Sequence, residues 1–310
     1  ASRRLEEAAR LVDSLPAEWI AVHEPLLMVG ALAHHAGRQY EKARKYIDVL
    51  VVRYPRNLGA RKLLASIHLE MGENARAIAL LEHVLRAQPE DSQAQSLLGR
   101  VYFSQRRYGK AIELLESAAQ AGDARALVSL GFSRLGQGET AAAAKTLASA
   151  FDKAPADVGL AIMLANTLMR EGEGRQALDV AERVAAEVPG NPAALNLLGA
   201  IKGAQGDLAG ARAAYEEALK LDAVFRSARL NLARLDVAEG HFDEARQTFA
   251  ELLKRDKRDV AVMYESALLE QRAGRPDEAL RWLEKSVAER PDDVRVGLAL
   301  VRAKAEVGDR

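Results

Sequence analysis

The chain has 310 residues with 44 basic and 44 acidic side chains, so its formal net charge is zero, and it contains no cysteine. Neutrality argues against a general nucleic-acid binder, which carries a strongly basic stripe, and the lack of cysteine removes disulfides, thiolate zinc sites and cysteine nucleophiles from this chain. Hydrophobic residues at 49%, few aromatics, and alanine-rich runs such as TAAAAKTLASAF favour a folded helical protein. No apolar run approaches the ~20 residues of a membrane helix. The start, ASRRLEEAARLV, lacks the apolar core of a signal peptide.

Residues 1–16 read as a helix closing at Pro16, followed by a linker to residue 22. From there the chain repeats itself. Ala43, Ala77, Ala111, Ala143, Ala177, Ala211, Ala245 and Ala279 are separated by 34, 34, 32, 34, 34, 34 and 34 residues. A second series of small residues, Ala65, Gly99, Gly131, Ala165, Gly199, Ala233 and Ala267, runs twelve residues ahead. Gly30 opens it thirteen ahead of Ala43, which implies one inserted residue at Gln39. Gly72, Gly138, Gly172, Gly206, Gly240 and Gly274 fall five residues before the matching alanines; Gly37 is the inserted case and Arg106 the exception. Glycine there ends one helix and reverses the chain. Pro55, Pro89, Pro155, Pro189 and Pro291 close the second helix of their repeats. At the last position of each repeat stand Asn57, Asp91, Asp123, Asp157, Asn191, Phe225, Asp259 and Asp293, all but Phe225 good helix N-caps.

The spacing resembles the tetratricopeptide repeat, a 34-residue helix–turn–helix unit. Small residues at positions 8 and 20 of that unit let its two helices approach, and larger residues at 7, 24 and 27 fill the groove to the next repeat. The resemblance implies an all-α solenoid, a right-handed superhelix of antiparallel helix pairs. Eight repeats are expected at 23–57, 58–91, 92–123, 124–157, 158–191, 192–225, 226–259 and 260–293, the third two residues short. Residues 1–22 then hold a truncated second helix plus linker, and 294–310 the first helix of a further repeat. Both ends read as cuts through a longer array. They are expected to expose apolar stripes at Leu5, Ala8, Val12 and Leu15, and at Leu300, Val301 and Val307.

A finer resemblance lies in NPAALNLLGAIKGAQGDLAGARAAYEEALKLD, FRSARLNLARLDVAEGHFDEAR and GRPDEALRWLEKSVAERPDD, with Phe225 and the short GDARALVSLG junction. These segments look like the TPR-repeat lipoprotein of the PEP-CTERM/exosortase system of bacterial exopolysaccharide loci. That resemblance implies an exported, lipid-anchored envelope protein in the periplasm, associated with exopolysaccharide production and protein sorting. The anchoring cysteine is absent here, so no membrane insertion is expected of this chain.

Family geometry would line a concave groove with positions 2, 5, 9, 12 and 13 of the first helices. These supply Lys62, Arg100, Arg125, Arg170, Arg234, Arg272, Arg295 and Arg302, against Glu24, Glu70 and Glu306. Among them lie Phe103, Phe132, Leu135, Met169, Leu230, Tyr264 and Leu268. The expected ligand is an acidic and apolar segment of a protein partner; a mixed, solvated face is the alternative. The chaperone-binding clamp of the family is not matched, because Ser66 follows Lys62 where asparagine is needed and Ile162 precedes Asn166 where lysine is needed.

No phosphate loop, HExxH pair, nucleophile elbow or dinucleotide fingerprint is present. His34 and His35 are adjacent on one helix and point ~100° apart, which prevents joint metal ligation without outside help. His68 is the nearest candidate to join one of them. No cofactor, metal or catalytic activity is expected, since no nucleophile–base constellation exists. The expected function is a scaffold for protein partners of an exopolysaccharide or sorting apparatus. The alternatives are a chaperone-like carrier or a direct polysaccharide-binding module.

Overall fold

Side-chain caps open most first helices of the repeats. In the computed structural model, which describes residues 2–308 and the side chains of 4–306, all regular elements among those residues are helices. Asn57, Asp91, Asp123, Asp157, Asn191, Asp259 and Asp293 each accept a hydrogen bond from a backbone N–H of the helix that follows. Such a cap satisfies one of the four amide donors that every helix start leaves unpaired. The chain forms two compact units, residues 1–154 and 155–310.

The first unit contains α1 (Ser2–Asp13), α2 (Ala17–Val22), α3 (Glu24–Ala36), α4 (Tyr40–Arg53) and α5 (Leu58–Glu70). It continues with α6 (Asn74–Ala87), α7 (Ser92–Ser104), α8 (Tyr108–Gln120), α9 (Ala124–Gln137) and α10 (Thr140–Lys153). From α3 onward each repeat is an antiparallel pair. Ala43, Ala77, Ala111 and Ala143 are fully buried where the pairs cross. A Cβ built on Gly99 would lie 2.6 Å from Leu115 Cγ, and one on Gly131 would lie 2.5 Å from Leu147 Cδ2. Only a residue without a side chain fits there.

The first repeat has a different register from the expected one. Arg38, with φ 56°, occupies the left-handed position that Gly72 takes 34 residues later, while Gly37 has an ordinary φ of −80°. The repeat therefore runs 24–57 without an insertion, and Ala31, fully buried, holds the small-residue position in place of Gly30. Glycine was a misleading guide because arginine tolerates the turn here, and Arg106 does the same at φ 58°. The two residues missing from the third repeat are divided between its parts. Helix α8 is one residue shorter than α6, and its exit turn, Ala121 to Asp123, loses another and reverses at Gly122, φ 93°.

At the N-terminal end, α1 packs on α3, and the expected linker contains the short helix α2. Val12 is buried with Ile20 and Leu27, not exposed; Leu5 and Leu11 are the outward apolar residues of α1. Asp13 anchors this helix. Its Oδ1 accepts from the Tyr46 hydroxyl at 2.5 Å and lies 2.9 Å from His34 Nε2. Burial alone would raise the Asp13 carboxyl, but the hydrogen bonds from Tyr46 and His34 outweigh it and hold the group below its ordinary value. Burial and the neighbouring carboxylate push the Tyr46 phenol up to about 12.

The second unit contains α11 (Val158–Arg170), α12 (Gly174–Glu187), α13 (Pro192–Ala204), α14 (Leu208–Leu221) and α15 (Arg226–Glu239). It ends with α16 (Phe242–Arg255), α17 (Val260–Arg272), α18 (Pro276–Glu289) and α19 (Val294–Gly308). Ala177, Ala211, Ala245 and Ala279 repeat the buried crossing, and a Cβ on Gly199 would sit 2.6 Å from Tyr215 Cε1. Phe225 makes no cap; its ring packs beside Tyr215 and Leu235. Of the C-terminal stripe, Val301 is 66% exposed and Leu300 packs against the core, whereas the Val307 side chain lies outside the described ones.

Substituting Ala177 or Ala211 with leucine is expected to cost ~1–3 kcal/mol by overpacking the crossing; an unchanged melting curve would refute the assigned repeat frame. Arg106→Gly should stabilise the chain by ~0.5–1 kcal/mol, since glycine adopts the left-handed turn without steric cost. Asp13 has a lowered folded pKa, so its contribution is present above 3.8 and lost as pH falls through the folded value. Asp13→Asn should therefore lower the melting temperature at neutral pH and flatten its acid-side decline.

Candidate interaction surface

Along the first helices of the first unit runs a groove of about 540 Å³ with walls from α3, α5, α7 and the start of α9. Its apolar floor and walls come from Met28, Leu32, Leu63 and Leu97, and its polar lining includes His35, Lys62, Ser66, Glu70, Arg100 and Arg125. Lys62 Nζ donates to Asp91 Oδ2 at 2.7 Å, while Asp91 Oδ1 caps α7 through Ala94 N–H. Burial works to raise the Asp91 carboxyl, and the bonds from Lys62 and Ala94 overcome it, leaving the group lowered. Arg100 Nη2 lies 3.0 Å from Glu70 Oε1, and Arg125 Nε lies 3.4 Å from Asp123 Oδ1.

The basic groove expected from sequence is thus balanced in this unit. Lys62, Arg100 and Arg125 each have a carboxylate, two of them from cap residues, Asp91 and Asp123, that were not counted as lining. Glu24, counted as lining, stands outside the groove. The corrected register puts it first in its helix, where it accepts from Asn57 Nδ2 at 2.6 Å. His35 Nε2 lies 3.3 Å from Ser66 Oγ, and burial lowers its pKa, with Arg100 adding to the effect and Glu70 opposing it. Further along, the Phe103 ring lies 6.1 Å from Phe132 and 5.9 Å from Tyr108, centroid to centroid. Tyr108 escaped the sequence analysis because it sits on the second helix. Gly136 admits its ring, since a Cβ there would lie 2.5 Å from Tyr108 Cε1. Leu135 is half-buried beside this cluster's helix.

The corresponding face of the second unit is less balanced. Arg234 Nη2 lies 2.6 Å from Glu265 Oε1, and Asn231 Nδ2 donates to Asn196 Oδ1 at 3.0 Å. The Arg295 guanidinium stacks 4.6 Å from the Tyr264 ring centroid. Leu230 is buried in the core and lines nothing; Met169 and Leu268 are half-buried. Arg170, Arg272 and Arg302 are exposed, and no carboxylate among the described residues forms an ion pair with them.

A second polar system joins the helices at position 11 of the repeat. His34 pairs with Gln39, and His68 with Glu73 at 2.6 Å, so the partner of His68 is a carboxylate of its own repeat. Arg134 bonds Glu116 and Thr146, Asp236 receives Arg212 at 2.6 Å, and Glu270 receives Arg246 at 2.8 Å. Polar residues recurring at one register position were the available signal. Asp236, Glu239 and His241 bring ligand atoms within 4.8 Å of one another. The Arg212 guanidinium already bonds both carboxylates, at 2.6 and 2.5 Å, and they raise its pKa. The cation in that cluster is the arginine. No described helix is long and apolar enough to cross a membrane.

Sequence profiles described as Tetratricopeptide repeat match residues 62–126, 134–201, 204–267 and 262–285. Cellulose synthase operon protein C of Xanthomonas axonopodis pv. citri (strain 306) is 30% identical over 233 residues, 73% of this chain and 14% of that protein. Protein O-mannosyl-transferase TMTC1 of Mus musculus is 27% identical over 189 residues, 60% of this chain and 17% of that protein. The chain therefore spans less than a fifth of the length of these relatives. Among solved structures, the APC/C hetero-tetramer Cut9–Hcn1 matches with a TM-score of 0.55 at 18% identity, covering 96% of this chain and 59% of that one, a likeness of fold.

Removing Asp91 takes away a cap and a groove ion pair together, so Asp91→Ala should cost ~1–2 kcal/mol. Lys62→Met spares the cap, and should let the Asp91 carboxyl titrate closer to 3.8. Carboxyl NMR titration reads this directly, and an unmoved Asp91 would mean that the Lys62 bond does not hold in solution. Stability from this carboxylate is present above 3.8 and lost as pH falls through its lower folded value.

Proposed function

Since the chain belongs to the tetratricopeptide repeat family, we propose that it is a non-catalytic scaffold that holds protein partners of a bacterial exopolysaccharide or protein-sorting apparatus. The observation that carries the reading is the groove of the first unit. An apolar floor at Leu63 and Leu97, flanked by ion pairs open at one side, suits a peptide segment that alternates apolar and charged residues. The paired charges would supply register and specificity, and the apolar floor the larger share of affinity. The association with exopolysaccharide rests on similarity to the cellulose synthase operon protein over 73% of the chain. A periplasmic or envelope location follows from that reading.

Direct binding of polysaccharide is the second reading, favoured by the three clustered rings of Phe103, Phe132 and Tyr108. Aromatic faces stack on the apolar faces of sugar rings. One pair of experiments separates the two. Leu32→Glu combined with Ser66→Arg places charge and bulk in the groove at positions that are not core. Recovery of partners from a bacterial envelope fraction should fall to background with helix content unchanged, and equal recovery by parent and variant would dismiss the scaffold groove. Retardation of the chain in gels containing soluble β-glucan, abolished by Phe132→Ala, would instead favour the sugar platform.

A further inference from the structure

The side chain of position 7 helps to fill the seam between neighbouring repeats. Leu64, Leu98, Leu130, Leu164, Leu198 and Leu232 stand there in six consecutive repeats. The first and last repeats depart from this with Gly30 and Ser266, and both carry an aromatic residue at position 23, Tyr46 and Trp282. In the first repeat the ring takes the vacated room: a Cβ built on Gly30 would lie 2.8 Å from Tyr46 Cδ1. In the last repeat a cleft of about 290 Å³ stays open beside Ser266 and Trp282.

The cleft lies in the second unit, among α16, α17 and α18. Most of its lining is apolar: Phe249 and Leu269 are buried, and Leu253 and Trp282 are half-buried. Ser266 is buried and donates its hydroxyl to the Val262 carbonyl at 2.9 Å. Arg246 and Glu270 line the cleft as well, and answer each other at 2.8 Å. Lys254 and Lys257, which also line it, are exposed, and neither forms an ion pair among the described residues. Glu251, one turn before Lys254, is bonded by Arg229, and Asp256, between the two lysines, accepts from the Arg258 backbone N–H. Both repeats that form the cleft are complete, and α19 packs on α18 without lining it.

We propose that this cleft is a docking site for a protein partner, and that it takes one bulky apolar side chain standing beside a carboxylate. The apolar side chain occupies room that leucine occupies in six other repeats. Its burial against Phe249, Leu253, Leu269 and Trp282 supplies the affinity. The carboxylate meets Lys254 and Lys257, the charges that the chain itself leaves unpaired at the cleft, and supplies orientation and a faster encounter. The site gives the scaffold a second point of attachment. It lies in the other unit from the first-helix groove, and its lining shares no residue with it.

The test uses the 310-residue chain and a fluorescently labelled peptide with one phenylalanine flanked by glutamates, followed by anisotropy at low salt. Ser266→Leu should refill the seam, melt no lower than the parent, and weaken binding by about tenfold or more. Lys254→Glu combined with Lys257→Glu should weaken binding by about as much. Replacing the peptide's phenylalanine with alanine, or its glutamates with glutamines, should do the same. The chain has two tryptophans, so in a Trp19→Phe background the emission comes from Trp282 and should move to shorter wavelength as the peptide binds. No binding by the parent, equal binding of the alanine peptide, an unmoved Trp282 emission, or unchanged affinity in Ser266→Leu would overturn the proposal. A Ser266→Leu chain that melts below the parent would also overturn it, since the cleft would then lack room for an apolar side chain. Displacement by dodecanoate at lower concentration than unlabelled peptide would reassign the cleft to a free amphiphile, and the docking of a protein there would fall. The groove variant Leu32→Glu with Ser66→Arg should bind the peptide as the parent does. Loss of binding in that variant alone would place the peptide in the groove and overturn this site while sparing the groove.

Discussion

Everything in this protein depends on how closely two helices can approach where they cross. The crossing is set by small residues, and it tolerates almost nothing larger. Around Gly99, Gly131 and Gly199 the side chains of Leu115, Leu147 and Tyr215 already occupy the space that a methyl group would need. Close approach brings the flanking leucines and aromatics into dense contact, and dense contact is what stabilises a helix too short to persist alone in water. A helix of thirteen or fourteen residues recurs throughout because that length spans one crossing and its flanks.

With the crossings fixed, charge does the finer work. At position 11, His34 and His68 bond Gln39 and Glu73 in the turn before the second helix of their own repeat, whereas Arg134, Asp236 and Glu270 bond Glu116, Arg212 and Arg246 on the preceding second helix. His34, His68, Asp236 and Glu270 are buried, so breaking one of these pairs leaves a polar group or charge unanswered in the interior. Their variety adds specificity, because each seam then accepts its own neighbour better than a mismatched one.

The fold was largely legible in the sequence because its determinants are local and periodic. Small residues, turn glycines and Asp or Asn caps all report the same spacing independently. The one register error came from Arg38, which adopts a backbone conformation usually reserved for glycine while a true glycine stands beside it. The interaction surface was less legible. Position alone identifies Lys62, Arg100 and Arg125 as lining, with Glu70, the partner of Arg100; Asp91 and Asp123, the partners of Lys62 and Arg125, read only as caps, although each carboxylate serves both purposes. Tyr108 joins the aromatic cluster from the other helix of its pair, through space that Gly136 leaves open; no periodicity within one helix predicts that meeting.

The shortened third repeat has a consequence for recognition that the regular repeats cannot provide. A perfectly periodic surface is degenerate: a repetitive ligand can slide by one period and find the same contacts again. Loss of two residues between α7 and α9, one from α8 and one from the turn at Gly122, breaks that translational symmetry within the first unit. Asp123 and Arg125, the residues just past the break, stand at the end of the groove. A segment held in this groove would meet a phase boundary there, and one alignment would be singled out from several otherwise equal in energy.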